Sequence, residues 1–212
     1  MITDRDYIEI GDAPSQIAYD SNHFDSPRLQ MKILKILLQI VGFVVLIGAV
    51  AIGTLRIQRS SADGATVVFP GGEMIAGELH MGPEPDWSFT DDIFTIELQL
   101  NDPMSTRTIF ILESEGKIYV VSGYMKSFLG RIWKEWAFDA DEGNDEGVLR
   151  VNNVRYPRQL VRIKEGDVLN GVAAKLLAKY SGVPTPVSAE AIATARADIE
   201  DGNSWIFELT PR

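Results

Sequence analysis

Cysteine is missing from this 212-residue chain, and histidine occurs only as His23 and His80. The first absence excludes disulfides, thiolate metal ligands, cysteine-linked haem and cysteine nucleophiles. The second leaves no histidine suited to a hydrolase triad. His80 with Glu78 two residues earlier could give two ligands on one strand face, whereas a metal site wants three or four. G-x-S-x-G, H-E-x-x-H and G-x-G-x-x-G are also absent. The Pro70-Gly71-Gly72 turn is followed by no G-K-S or G-K-T, so it is not a phosphate loop. Positive charge is scarce: 20 Lys and Arg stand against 30 Asp and Glu, for a net charge of -10. General nucleic-acid binding needs clustered cations that displace counterions, so no nucleic-acid partner is expected.

What the chain does have is one long uncharged run. Residues 36–55, ILLQIVGFVVLIGAVAIGTL, contain only Gln39 and Thr54 as polar side chains. At about 1.5 Å per residue this run spans about 30 Å, the hydrocarbon thickness of a bilayer. It predicts a single transmembrane helix over 32–56, after a polar tail (1–31) and before a linker (57–65) and a soluble domain (66–212). A cleaved signal peptide would have a shorter apolar core and an A-x-A-like site after it. Arg28, Lys32 and Lys35 precede the run, and Arg56 and Arg59 follow it. The positive-inside rule therefore places the N-terminus in the cytoplasm and the domain on the outer side of the cell membrane. Gly42, Gly48 and Gly53 would let another membrane helix approach closely.

The domain reads as mostly strand. Residues 66–69 and 73–79 are short strand candidates either side of the 70–72 turn. Residues 93–98, 106–112 and 117–122 alternate in polarity or are β-rich, the last two joined by a Gly-bearing turn at 113–116. Over 126–138 the period changes: Leu129, Ile132, Trp133 and Trp136 sit at helical spacing, with Ser127 as cap. Residues 139–147, DADEGNDEG, read as a solvated acidic loop. Residues 147–151 and 154–163 form a second hairpin across Asn152-Asn153, a pair that tolerates the positive φ of a tight turn. Helices follow over 168–180, after Asp167, and from Ser188 to about 199, then a last strand at 204–209. The expected fold class is a single transmembrane helix plus a mainly-β (α+β) soluble domain, an antiparallel split β-barrel with peripheral helices.

The block over residues 106–163, TRTIFILESEGKIYVVSGYMKSFLGRIWKEWAFDADEGNDEGVLRVNNVRYPRQLVRI, resembles the FMN-binding split-barrel superfamily. That superfamily includes pyridoxamine-phosphate-oxidase-like and deazaflavin-dependent nitroreductase-like proteins. The shared order is strand, turn, a strand ending in Ser or Thr, a short helix, then a hairpin. The resemblance implies FMN or a deazaflavin as cofactor and a homodimer with the cofactor at its interface. Haem is a further ligand of related barrels, weakened here by the shortage of axial histidines. By resemblance, Ser122 and Lys126 match the place where a flavin phosphate is held, and Arg107 on the neighbouring strand could join them. Ser127, at the helix start, adds a hydroxyl where a dianion wants cations, hydroxyls and helix amides together. Trp133 and Trp136 could stack on an isoalloxazine ring. Plainer roles stand beside these: Lys126 facing water, Ser127 capping, the tryptophans packing, and Arg150, Arg155, Arg158 and Arg162 pairing with carboxylates.

Two functions follow as expectations. One is a membrane-anchored oxidoreductase passing electrons or hydride from a flavin-type cofactor to a small acceptor, such as a quinone near the bilayer. The other is a non-catalytic accessory or assembly subunit of an integral-membrane complex, holding no cofactor.

Overall fold

A computed structural model of the chain describes residues 27–59, 61–65 and 70–212. The strand expected at 66–69 and most of the polar tail lie outside these residues. The chain divides into two compact units, Met1–Ala51 and Ile52–Arg212.

The first unit is built on helix α1 (Pro27–Arg59), whose last turns belong to the second unit. It starts five residues before the expected span and ends three beyond it, because Arg28 to Lys35 continue the helix instead of merely leading into it. Residues Pro27–Gln58 have a mean hydropathy of 2.7 in their most apolar window, with no side chain of that window buried. Among the described residues this is the one helix long and apolar enough to cross a membrane.

The second unit is a closed barrel. Its strands are β1 (Glu78–Leu79), β2 (Thr95–Asn101), β3 (Met104–Ser114), β4 (Lys117–Ser122), β5 (Glu146–Val151), β6 (Val154–Ile163) and β7 (Trp205–Pro211). Hydrogen bonding runs β6-β5-β2-β3-β4-β7, and β7 pairs with β6 to close a six-stranded antiparallel ring. Short β1 joins the edge of β6 in parallel. Of the return strand expected at 73–79, only these last two residues pair.

Strand β3 carries the closure. Its first half, Met104 to Phe110, pairs with β2, and from Ile111 onward it pairs with β4. Alternation sends Ile96, Leu98 and Leu100 of β2, Ile109 and Ile111 of β3, and Leu149 of β5 into one buried core. Trp87, Met125 and Trp136 complete that core from outside the sheet. The opposite faces of β3, β4 and β7 present Leu112, Tyr119, Val121 and Ile206 to a second cluster with Leu169, Val172 and Ile199. Those last three come from α4 (Val168–Tyr180) and α5 (Ala189–Glu200). Ser188 caps α5 by accepting the Ala191 N–H, while Asp167 precedes α4 without a side-chain cap bond.

Three expectations are corrected. The helix expected over 126–138 is two: α2 (Phe128–Trp133) and α3 (Glu135–Asp141), broken at Lys134, whose φ of -114° and ψ of 25° are not helical. The acidic stretch is only partly a loop, since Asp139 to Asp141 finish α3 and Glu146 and Gly147 start β5. The segment after α1 is no free linker. Ala62 accepts the N–H of Gly72, and Asp63 pairs with Arg150 on β5. Gly71 approaches Gly64 so closely that an added Cβ would lie 1.6 Å from the Gly64 carbonyl oxygen. Only glycine permits that contact.

Candidate functional site

The five residues singled out in the sequence take different positions. Ser122 is fully buried at the end of β4, and its hydroxyl donates to the Met125 sulfur at 3.1 Å. Lys126 is exposed and ion-pairs with Asp201 at 2.5 Å. Ser127 caps α2: its oxygen accepts the Gly130 N–H at 2.9 Å and its proton goes to the Tyr124 carbonyl at 2.8 Å. Trp133 is 63% exposed at the end of α2. Arg107 lies on the core-facing side of β3, with its guanidinium 5.7 Å from the Trp136 ring. No hydrogen bond joins Arg107 to Ser122, Lys126 or Ser127 among the described residues. Trp136 itself is core, 2% exposed and 5.5 Å from Phe207.

Arg107 instead belongs with a residue that the sequence pattern did not single out. At the helix break stands Lys134, which feels the positive charge of Arg107. Burial lowers the Arg107 guanidinium to about 10, opposed by Asp139 and Glu135. Lys134 is also lowered, first by burial and then by Arg107. Across from them the Asp139 carboxyl is raised, first by burial and then by Glu135, with Arg107 acting the other way. Neither cation has a carboxylate within 4 Å among the described residues. Among the described residues Arg107 donates one bond, to Ser105 Oγ at 3.0 Å, and its buried Nε has no partner. A desolvated, under-bonded guanidinium next to a second desolvated cation is a place where an anion gains more than it would in water. In the sequence, the one hint of Lys134 was its place between two tryptophans in a helix too aromatic to be exposed all round.

The outer face of β2, β3 and β5 carries an open cleft of about 540 Å³. Thr95, Glu97, Thr108 and Arg150 line it together with Asp63 and Asn152-Asn153. Its cation is already matched: Arg150 Nε donates to Glu97 at 2.6 Å and Nη1 to Asp63 at 3.0 Å. The Glu97 bond is the largest cause raising the Arg150 pKa. A second open groove, of about 640 Å³, lies between α4 and α5.

Of the other arginines of the second hairpin, Arg158 and Arg162 pair with carboxylates and Arg155 bonds backbone carbonyls. Arg162 bonds Asp141 at 2.6 Å and stacks 3.4 Å from the Trp205 ring centroid. Arg155 donates to the carbonyls of Gly77 and Met74. Arg158 is 2% exposed, ion-pairs with Glu84 at 2.8 Å and lies over Trp87 and Tyr156. His80 stacks on Tyr156 at 4.8 Å and bonds the Pro83 carbonyl. Among the described residues no three His, Asp or Glu gather as a metal-binding group. His23 lies outside them.

No protein-family model matches this chain. No curated protein matches it significantly. Among solved structures, the conserved hypothetical protein Rv2991 from Mycobacterium tuberculosis is similar in fold at 13% identity. The match has a TM-score of 0.44 and covers 64% of this chain and 83% of that one. The barrel assignment rests on the chain's own strand order: a mainly-β domain with a closed, six-stranded antiparallel barrel and peripheral helices.

Proposed function

We propose that this chain is a membrane-tethered split-barrel protein that binds an anionic, flavin-type cofactor for electron or hydride transfer to a small acceptor. The observation that carries the reading is the Arg107–Lys134 pair, two desolvated cations with an orphaned guanidinium Nε. A flavin, when bound, supplies the redox chemistry itself. The chain's part is to hold and orient the anionic group through Arg107 and Lys134. Asp139, whose carboxyl pKa is raised first by burial and then by Glu135, sets how favourable that site is for negative charge. The tether is supported by the length and hydropathy of α1, with the N-terminus cytoplasmic and the domain outside as the flanking charges prefer.

The test is an absorption spectrum of detergent-purified full-length chain, with released small molecules identified by mass. A stoichiometric flavin or deazaflavin band, lost in Arg107→Met and in Lys134→Met, is the expected result. A blank spectrum that persists after incubation with FMN would overturn the reading. It would favour the accessory-subunit alternative, whose own support is the exposed pair Phe94 and Phe110 beside Tyr180, an aromatic face suited to a homodimer or a membrane-complex partner.

A further inference from the structure

Helix α2 and the turn before it set large apolar side chains in water. Tyr124 is 76% exposed, Phe128 77%, Ile132 58% and Trp133 63%. Four such residues within ten exceed the scattered apolar exposure of an ordinary soluble surface.

Their display is built, not frayed. Tyr124 sits at φ 61°, the left-handed region that a tyrosine rarely adopts. Its carbonyl accepts both the Ser127 N–H and the Ser127 hydroxyl. Gly130 is pressed against that same carbonyl, where an added Cβ would lie 1.9 Å from the oxygen. The turn and the helix thus lock together with the aromatic side chains outward.

Charge identifies the occupant. The stretch 124–134, YMKSFLGRIWK, contains no acid in a chain of net charge -10, and of its cations Lys126 is already ion-paired with Asp201. Arg131 is exposed, with no carboxylate in ion-pair range among the described residues. Aromatic and aliphatic tips beside such a cation match the interfacial region of a bilayer containing anionic lipid. Chain length keeps the barrel near the lipid once α1 is anchored. From Arg59, where α1 ends, to Ala62, whose carbonyl accepts the Gly72 N–H in the barrel unit, is three residues. At about 3.4 Å each they reach at most about 10 Å, so the barrel is held at high effective concentration beside the lipid surface.

We infer that α2 is a second membrane contact, inserting Phe128, Ile132 and Trp133 among the lipid headgroups with Arg131 on their phosphates. This rests on the tether proposed above. It does not require the cofactor.

The test uses the full chain in phosphatidylcholine vesicles containing a minority of phosphatidylglycerol. The absence of native cysteine allows single nitroxide labels at Phe128→Cys, Trp133→Cys, Val45→Cys and Glu165→Cys. Power saturation with oxygen and with a water-soluble nickel chelate reports the surroundings of each label. Labels at 128, 133 and 45 should favour oxygen, and the label at 165 should favour nickel. Preference for nickel at 128 and 133, with 45 in lipid, overturns the surface contact and leaves the tether standing. Shielding of 128 and 133 from both agents means that a protein covers α2, and also overturns it. A water-exposed label at 45 sinks the tether and the inference with it. Should a labelled variant fail to fold, quenching of the unlabelled chain by brominated lipid, absent in Trp133→Phe, supports the same contact. Equal quenching of the two chains overturns the inference.

Discussion

The Tyr180 hydroxyl accepts the backbone N–H of Ile111 at 3.0 Å and has the carbonyls of Ile111 and Phe94 within donor reach. Ile111 is where β3 leaves its partner β2 and takes up β4. At that exchange the peptide groups on the β2 side lose their strand partner, and a side chain from α4 replaces it. Lys179 assists, donating to the same Ile111 carbonyl at 2.8 Å and to Thr90 at 2.7 Å.

Tyr180→Phe should therefore destabilise the domain by about 1–3 kcal/mol, the effect of leaving partly buried backbone groups unsatisfied. Urea denaturation measures it, and hydrogen exchange should localise the loss to Phe110 and Ile111. Unchanged protection there would mean that water or Lys179 alone suffices.

Burial raises the Tyr180 and Tyr119 hydroxyls to about 12 from an ordinary 10. For Tyr119, Glu208 adds to burial as the next cause. Their folded pKa values lie above the unfolded ones, so the stability they contribute is fully present below pH 10. It is lost as pH rises through about 12. Stability followed against pH should fall across that window, with tyrosinate absorbance appearing together with unfolding. Tyr180→Phe should shallow the decline.

Replacing Arg107 with Met removes a cation that the ligand-free fold holds at a desolvation penalty. Stability without ligand should stay level or rise by about 1 kcal/mol, while anion binding is lost. A large loss of stability would show Arg107 to be a structural ion-pair member. Binding of FMN or inorganic phosphate should also tighten as pH falls through the raised Asp139 pKa, because protonation removes an opposing negative charge. Asp139→Asn should flatten that dependence, and isothermal titration at several pH values reads it directly.

Arg158 is sealed in the barrel and depends on Glu84, which also accepts the Trp87 indole N–H at 2.6 Å. Glu84→Gln keeps the shape and removes the charge. Glu84 is 38% exposed, so the expected loss is about 2 kcal/mol, less than for a fully buried pair. Thermal unfolding measures it, and a change in Trp87 emission should accompany it.

Much of the barrel was legible locally. The 117–122 strand, the Asn152-Asn153 turn with φ of 50° and 60°, and the Ser188 cap follow from alternation, turn chemistry and side-chain reach over a few residues. The break at Lys134 was not, because Trp133 and Trp136 obey helical spacing whether or not the helix is continuous. Across the break Trp136 is buried in the core while Trp133 stays exposed, a difference their shared spacing does not encode.

Sequence alone determined the apolar helix, the alternation that lines the barrel, and the exclusion of thiol chemistry. These depend on composition and on periods of two or of three to four residues. Tertiary structure decided which cations are free. Lys126 and Arg150 find carboxylates 75 and 53 residues away, while among the described residues Arg107 and Lys134 have none within 4 Å. Charge pairing depends on distances of a few ångströms between segments remote in the chain, and no local pattern encodes those distances.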